Sequence, residues 1–109
     1  MATTYKVLGQ VTPSATTATT LYTAPASTQA IVSTISVCNS NGSAATFRIA
    51  VRPAGATLEQ KHYIVYGATV PASDSTFFTL GLTLATTDVI TVYASSANVS
   101  FNAYGSEIA

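Results

Sequence analysis

Residues 45–52 read Ala45-Thr46-Phe47-Arg48-Ile49-Ala50-Val51-Arg52, and their alternation decides the fold. Ala45, Phe47, Ile49 and Val51 share one parity, while Thr46, Arg48, Ala50 and Arg52 take the other. Successive side chains of a strand point to opposite faces, so this is a strand with one face in a core. The same pattern recurs downstream. Phe78, Leu80, Leu82 and Leu84 oppose Phe77, Thr79, Gly81 and Thr83; Ile90 and Val92 oppose Thr91 and Tyr93; Val99, Phe101 and Ala103 oppose Asn98, Ser100 and Asn102. Strands that are apolar on one side and polar on the other belong to antiparallel sheet. The segments YKVLGQV, TLYTA, AIVSTISVC and HYIVYG are strand-like in composition but alternate less cleanly, and HYIVYG is apolar on both sides. That makes eight short strands.

Turn chemistry separates them. The clusters SNGS, RPAGAT, VPASDS, LATTD and SSAN consist of residues that tolerate positive φ or pre-set a turn. Asn41-Gly42 between two strand patterns predicts a hairpin with a type I′ turn. Pro13, Pro25, Pro53 and Pro71 all fall at predicted strand ends, where a missing N–H interrupts no ladder. Residues 11–20, VTPSATTATT, form a long polar loop, and AGATLEQK at 54–61 has room for one helical turn. The expected fold is all-β: a single domain over residues 1–109, an antiparallel β-sandwich with eight strands in a jelly roll. Its expected interior holds Phe47, Ile49, Val51, Phe78, Leu80, Leu82, Ile90, Val92, Val99 and Phe101.

Composition narrows the function classes. The 109 residues include 19 Thr, 18 Ala and 12 Ser, and small and β-branched side chains favour pleated sheet. Only 7% are charged, where about 25% is ordinary, and 4 Lys+Arg balance 4 Asp+Glu to a net charge of zero. A nucleic-acid binder needs a basic stripe to displace counterions, and there is none. No apolar run approaches the 18 or so residues that span a bilayer, and MATTYKVLGQ lacks the layout of a secretion signal, so the chain reads as soluble and unprocessed. A single Cys38 excludes an internal disulfide.

The titratable residues carry no catalytic pattern. His62 follows Lys61 at the head of HYIVYG, with Glu59 the nearest acid, and reads as a partly exposed histidine at a strand end. Cys38 ends an apolar strand with no basic neighbour in sequence to favour its thiolate. Glu59, Asp74, Asp88 and Glu107 are spaced neither as a calcium loop nor as a close pair, and Asp74 and Asp88 read as acceptors for turn backbone. No phosphate-binding glycine string occurs. The expectation is a protein that is not an enzyme and uses no cofactor or metal.

Two features point to binding instead. Arg48 and Arg52 project from the polar side of one strand, roughly 13 Å apart at about 3.3 Å per residue, and suit a carboxylate-bearing partner or simply a solvated face. Tyr63, Phe77 and Tyr93 lie opposite their strands' core parity or on the doubly apolar strand. Aromatic residues with few charges characterise the buried centre of protein interfaces, so these five residues are the candidate contact set. Sugar stacking is the competing use of such rings, but Trp, its best platform, is absent.

The run LYTAPASTQAIVSTISVCNSNGSAATFRIAVRPAGATLEQKHYIVYGATVPASDSTFFTLGLTL, closing with DVITVYASSANVSFNAYGSEI, resembles a family of small β-sandwich virion proteins of tailed bacteriophages, cyanophages included. The likeness extends from about Tyr5 to Ile108 and rests on the order of LYTAPA, VCNSNGSAATFRIAVRPAGA, HYIVY, LGLTL and VYASSANVSFNAYGSEI. It implies a noncatalytic virion building block, made and assembled in the host cytoplasm. The expected role is a capsid decoration or cement protein acting as a symmetric oligomer, a trimer, bound to the phage major capsid protein or other virion proteins. The alternative is a tail, baseplate, neck or fibre component, with host-glycan binding.

Overall fold

The computed structural model describes residues 2–109. The deciding stretch forms β4 (Ala45–Arg52), with Ala45, Phe47 and Ile49 buried as their parity requires. Around it stand β1 (Thr3–Val11), β2 (Thr19–Thr23), β3 (Gln29–Asn39), β5 (Tyr63–Val70), β6 (Asp74–Phe78), β7 (Leu82–Leu84), β8 (Val89–Ala94) and β9 (Val99–Ile108). Every pairing is antiparallel. Sheet A has the order β1-β9-β3-β6, with β7 also on β3; sheet B has the order β2-β8-β4-β5. The chain passes from one sheet to the other at almost every connection, which is the jelly-roll arrangement.

Nine strands replace the expected eight because the 77–84 run breaks. Ile35 pairs with Phe78 and Val32 with Leu82, so three steps along β3 face four along its neighbour. The surplus residue is absorbed around Gly81, whose φ of 61° is open to glycine at no steric cost. Leu80, expected inside, is thrown out to 47% exposure by this break. The strands β6 and β7 remain one interrupted edge, so the eight positions of the jelly roll are kept.

The Asn41-Gly42 hairpin is also corrected. β3 belongs to sheet A and β4 to sheet B, so residues 40–44 turn a corner between sheets, and neither Asn41 nor Gly42 adopts positive φ. Buried Asn39 organises the corner: its carboxamide donates to the carbonyls of Ser43 (2.9 Å), Pro71 (3.2 Å) and Val70 (3.3 Å), and its oxygen accepts from the Asn41 N–H (3.0 Å). A side chain thus satisfies backbone groups that no ladder reaches.

One core joins the sheets. Phe47 of sheet B packs edge-to-face on Phe78 and Phe101 of sheet A, with ring centroids 5.8 Å and 6.2 Å away. Ile49, Ile90, Val92 and Val99 are fully enclosed beside them, while Val51, Phe78 and Leu82 pack on the cluster's rim. β3 switches its inward parity: Ala30 and Val32 face the core, then Ile35 and Val37. A register shift against β9 between Val32 and Thr34 makes the switch. Opposite it a Cβ at Gly105 would overlap the Ile31 carbonyl, so only glycine fits this close approach. The 54–61 segment holds two 3-10 turns, Pro53–Gly55 and Gln60–His62, on either side of an extended stretch.

Candidate binding surfaces

The outer face of sheet B carries a row of three side chains. Arg48 pairs with Tyr66 of β5 on one side and with Tyr93 of β8 on the other. Directly opposed residues stand close enough for long side chains to lie against each other. The Arg48 guanidinium carbon lies 4.3 Å from the Tyr66 ring centroid and 4.1 Å from that of Tyr93, so the cation sits between two aromatic rings. Tyr63 extends the cluster by meeting Tyr66 edge-on, centroid to centroid 4.9 Å.

Two bulges in β5 create this arrangement. Phe47 pairs with Ala68, but Arg48 pairs with Tyr66 instead of Gly67, and Ala50 pairs with Tyr63 instead of Ile64. Without the first bulge Tyr66 would oppose Ile49 and point into the core. Gly67 makes it possible with a φ of 73°. Both tyrosines therefore reach the outer face, which is why HYIVYG looks apolar on both sides.

The five expected contact residues separate. Arg48, Tyr63 and Tyr93 converge, joined by Tyr66, which parity alone places on the core side. Arg52 is committed to its own loop: Nε donates to Thr91 Oγ1 (3.0 Å), and Nη1 donates to the carbonyls of Ala56 (3.0 Å) and Gly55 (3.3 Å). Phe77 lies on the other sheet, opposite Ser36, and is 68% exposed.

Phe77 belongs to the outer face of sheet A. Register rows across that face read Tyr5, Ser106, Ile31; then Val7, Tyr104, Thr34; then Gln10, Asn102, Ser36, Phe77. Tyr5, Val7, Ile31, Phe77 and Tyr104 are all exposed. The charged residues within sheet A's strands are Lys6, Asp74 and Glu107. They pair with Gly105, Asn39 and Ala30 on the inward parity, at the ends of the sandwich. Among the described residues the outer face of sheet A therefore bears no charged side chain.

Glu107 works at one of those ends. It accepts a hydrogen bond from the Tyr22 hydroxyl (2.6 Å) and pairs with Lys6 Nζ (2.9 Å), tying β2 of sheet B to β1 and β9 of sheet A. The Tyr22 bond, then Lys6, hold the Glu107 carboxyl below its ordinary value against an opposing desolvation. Burial, reinforced by Glu107, pushes the Tyr22 hydroxyl well above its own.

His62 is buried, contrary to the partly exposed position expected of it. It ends a 3-10 turn with a reciprocal cap: Nδ1 accepts from the Glu59 N–H (2.9 Å), which turns the ring inward and leaves the proton on Nε2. The ring lines a crevice of about 480 Å³ with Val51, Pro53, Ala56, Lys61 and Ile64. Cys38 sits half-buried on sheet A, opposite Ser100 and Ser75. Asp88 accepts from the N–H groups of Ala54 (2.8 Å) and Ala85 (2.9 Å), and Asp74 accepts from that of Ser75 (2.7 Å), as turn acceptors should.

No protein-family model, curated protein or solved structure matches the chain.

Proposed function

We propose that this protein is a noncatalytic structural subunit that assembles with copies of itself through the outer face of sheet A, and that it serves as a capsid decoration or cement protein of a tailed phage. The uncharged outer face of sheet A carries the reading: five large apolar or aromatic side chains stand exposed there without a charge to keep another copy away. An apolar patch of that kind marks an association surface. The zero net charge leaves little long-range repulsion between copies.

Closed rotational symmetry limits the assembly, since head-to-tail contacts that do not close grow into filaments. The trimer and the placement in a virion come from the resemblance of the chain to small phage β-sandwich proteins. The mechanism is additive: each subunit binds only the assembled shell and so stabilises it against disassembly by mass action.

Light scattering coupled to size exclusion tests self-association, with a single species several times 11.2 kDa expected at micromolar concentration. Antibody labelling of whole particles then locates the protein. Label over the whole capsid supports decoration; label confined to one vertex assigns the chain to tail, baseplate, neck or fibre. A strict monomer that also fails to bind purified capsids removes the decoration reading.

A further inference from the structure

We infer that the Tyr66–Arg48–Tyr93 row on sheet B is a docking point for an aspartate or glutamate side chain on the surface of a different protein. It does not rest on self-association through sheet A, which uses the opposite face of the molecule.

Aromatic rings flank the Arg48 guanidinium on two sides, and its N–H edge is the free binding element. That edge is a fork of donors matched to the two oxygens of a carboxylate. Among the described residues it has no acceptor: the ion pair present joins Lys6 to Glu107, and Arg52 is the arginine bonded to carbonyls. The strands of sheet B contain two arginines and no acidic residue, so the sheet itself supplies nothing to neutralise Arg48.

A second copy is poorly equipped to supply the carboxylate. Two of the chain's four acids are held by internal donors, Glu107 by the Tyr22 hydroxyl and Lys6 and Asp88 by two turn amides, which leaves Asp74, bonded through one oxygen to the Ser75 amide, and exposed Glu59. With so few carboxylates on the chain, the partner is taken as another protein, and the oligomer mass of Arg48→Gln separates it from a second copy. Three tyrosines around one arginine have the composition of a protein-interface hot spot. The guanidinium is held between two rings before a partner arrives, so little side-chain freedom is lost on binding.

The test is an NMR titration of the intact protein with a capped tetraglutamate peptide, with capped tetraglutamine and trigalacturonic acid in parallel. Tetraglutamate should shift the Arg48 Nε–Hε signal and the Tyr66 and Tyr93 ring signals saturably, and tetraglutamine should not. Arg48→Gln should abolish the effect. Arg48→Lys keeps the charge but not the fork and should weaken binding by about tenfold. Retained amide spectra of both variants exclude unfolding as the cause. Equal response to tetraglutamine, or tetraglutamate binding unchanged in Arg48→Gln, overturns the inference. So does binding of trigalacturonic acid without tetraglutamate, which makes this a saccharide site. A change of oligomer mass in Arg48→Gln overturns it as well, because the occupant is then a second copy.

Discussion

Phe47 of β4 and Phe101 of β9 meet edge-to-face between the two sheets at a centroid distance of 6.2 Å, with their planes inclined at 66°. Both rings are fully buried, so they join area burial to a favourable aromatic geometry at the point where sheet A and sheet B lock together. Phe101→Ala should lower unfolding stability by about 3–5 kcal/mol in urea titration, since surrounding strands relax only partly around the void. Leu80→Ala is the control. Exposed at the break between β6 and β7, it should change stability by less than about 0.5 kcal/mol. A loss from Leu80→Ala comparable to that from Phe101→Ala would place Leu80 in the core after all.

Gly67 holds the bulge that turns Tyr66 outward, with φ in the left-handed region. An L-residue there is strained by roughly 1–2 kcal/mol, so Gly67→Ala should destabilise by that amount. If the strain is relieved by loss of the bulge, Tyr66 leaves Arg48. The ring-current shift of the Arg48 δ-methylene protons, expected from two flanking rings, should then shrink in the NMR spectrum of the variant. A full shift at unchanged stability would show that the bulge does not depend on glycine.

Alternation was legible where strands run without interruption: β4 up to Ile49, β8 and the first half of β9 bury the residues that their parity assigns, and Val51 packs on the rim. It failed where a ladder gains a residue. The shift beside Ser33 in β3, the two bulges in β5 and the break before Leu82 each invert parity midway, and nothing local announces them apart from a glycine at 67 or 81. The contact residues divide on the same line. Arg48, Tyr93 and Phe77 stand on regular parity and could be placed outward from sequence, whereas Tyr66 required knowledge of the bulge. Asn39 was hidden for another reason. Its partners Val70 and Pro71 are 31 and 32 residues away, and only the packed corner brings their carbonyls to it.

The Tyr22–Glu107–Lys6 clasp gives stability a defined pH window. The Glu107 carboxyl is a stronger acid in the folded protein than its ordinary value of 4.5, so its contribution is present above that pH and is lost as pH falls through the folded value. The Tyr22 hydroxyl is a weaker acid than its ordinary 10.0, so its contribution is present below pH 10 and is lost as pH rises through the folded value. Glu107→Gln should therefore lower stability at neutral pH and flatten the acid limb of a stability profile measured by urea unfolding. Tyr22→Phe should flatten both limbs. An acid limb of wild-type slope in Glu107→Gln would assign acid sensitivity to another carboxylate.

Assembly through sheet A predicts a separation between stability and oligomeric state. Tyr5 on edge strand β1 and Phe77 on edge strand β6 are 83% and 68% exposed, so neither contributes much to holding a single copy together. They lie at opposite edges of the uncharged face, and burying both rings against another copy requires most of that face to be covered. The double variant Tyr5→Ser/Phe77→Ser should therefore keep the wild-type circular dichroism and urea midpoint of the isolated domain while its mass by light scattering falls toward 11.2 kDa. Arg48→Gln, on the opposite face, should leave the mass unchanged. If the double variant unfolds, these rings support the fold and the face is not free for a partner; if it folds and keeps its oligomeric mass, self-association runs through some other surface.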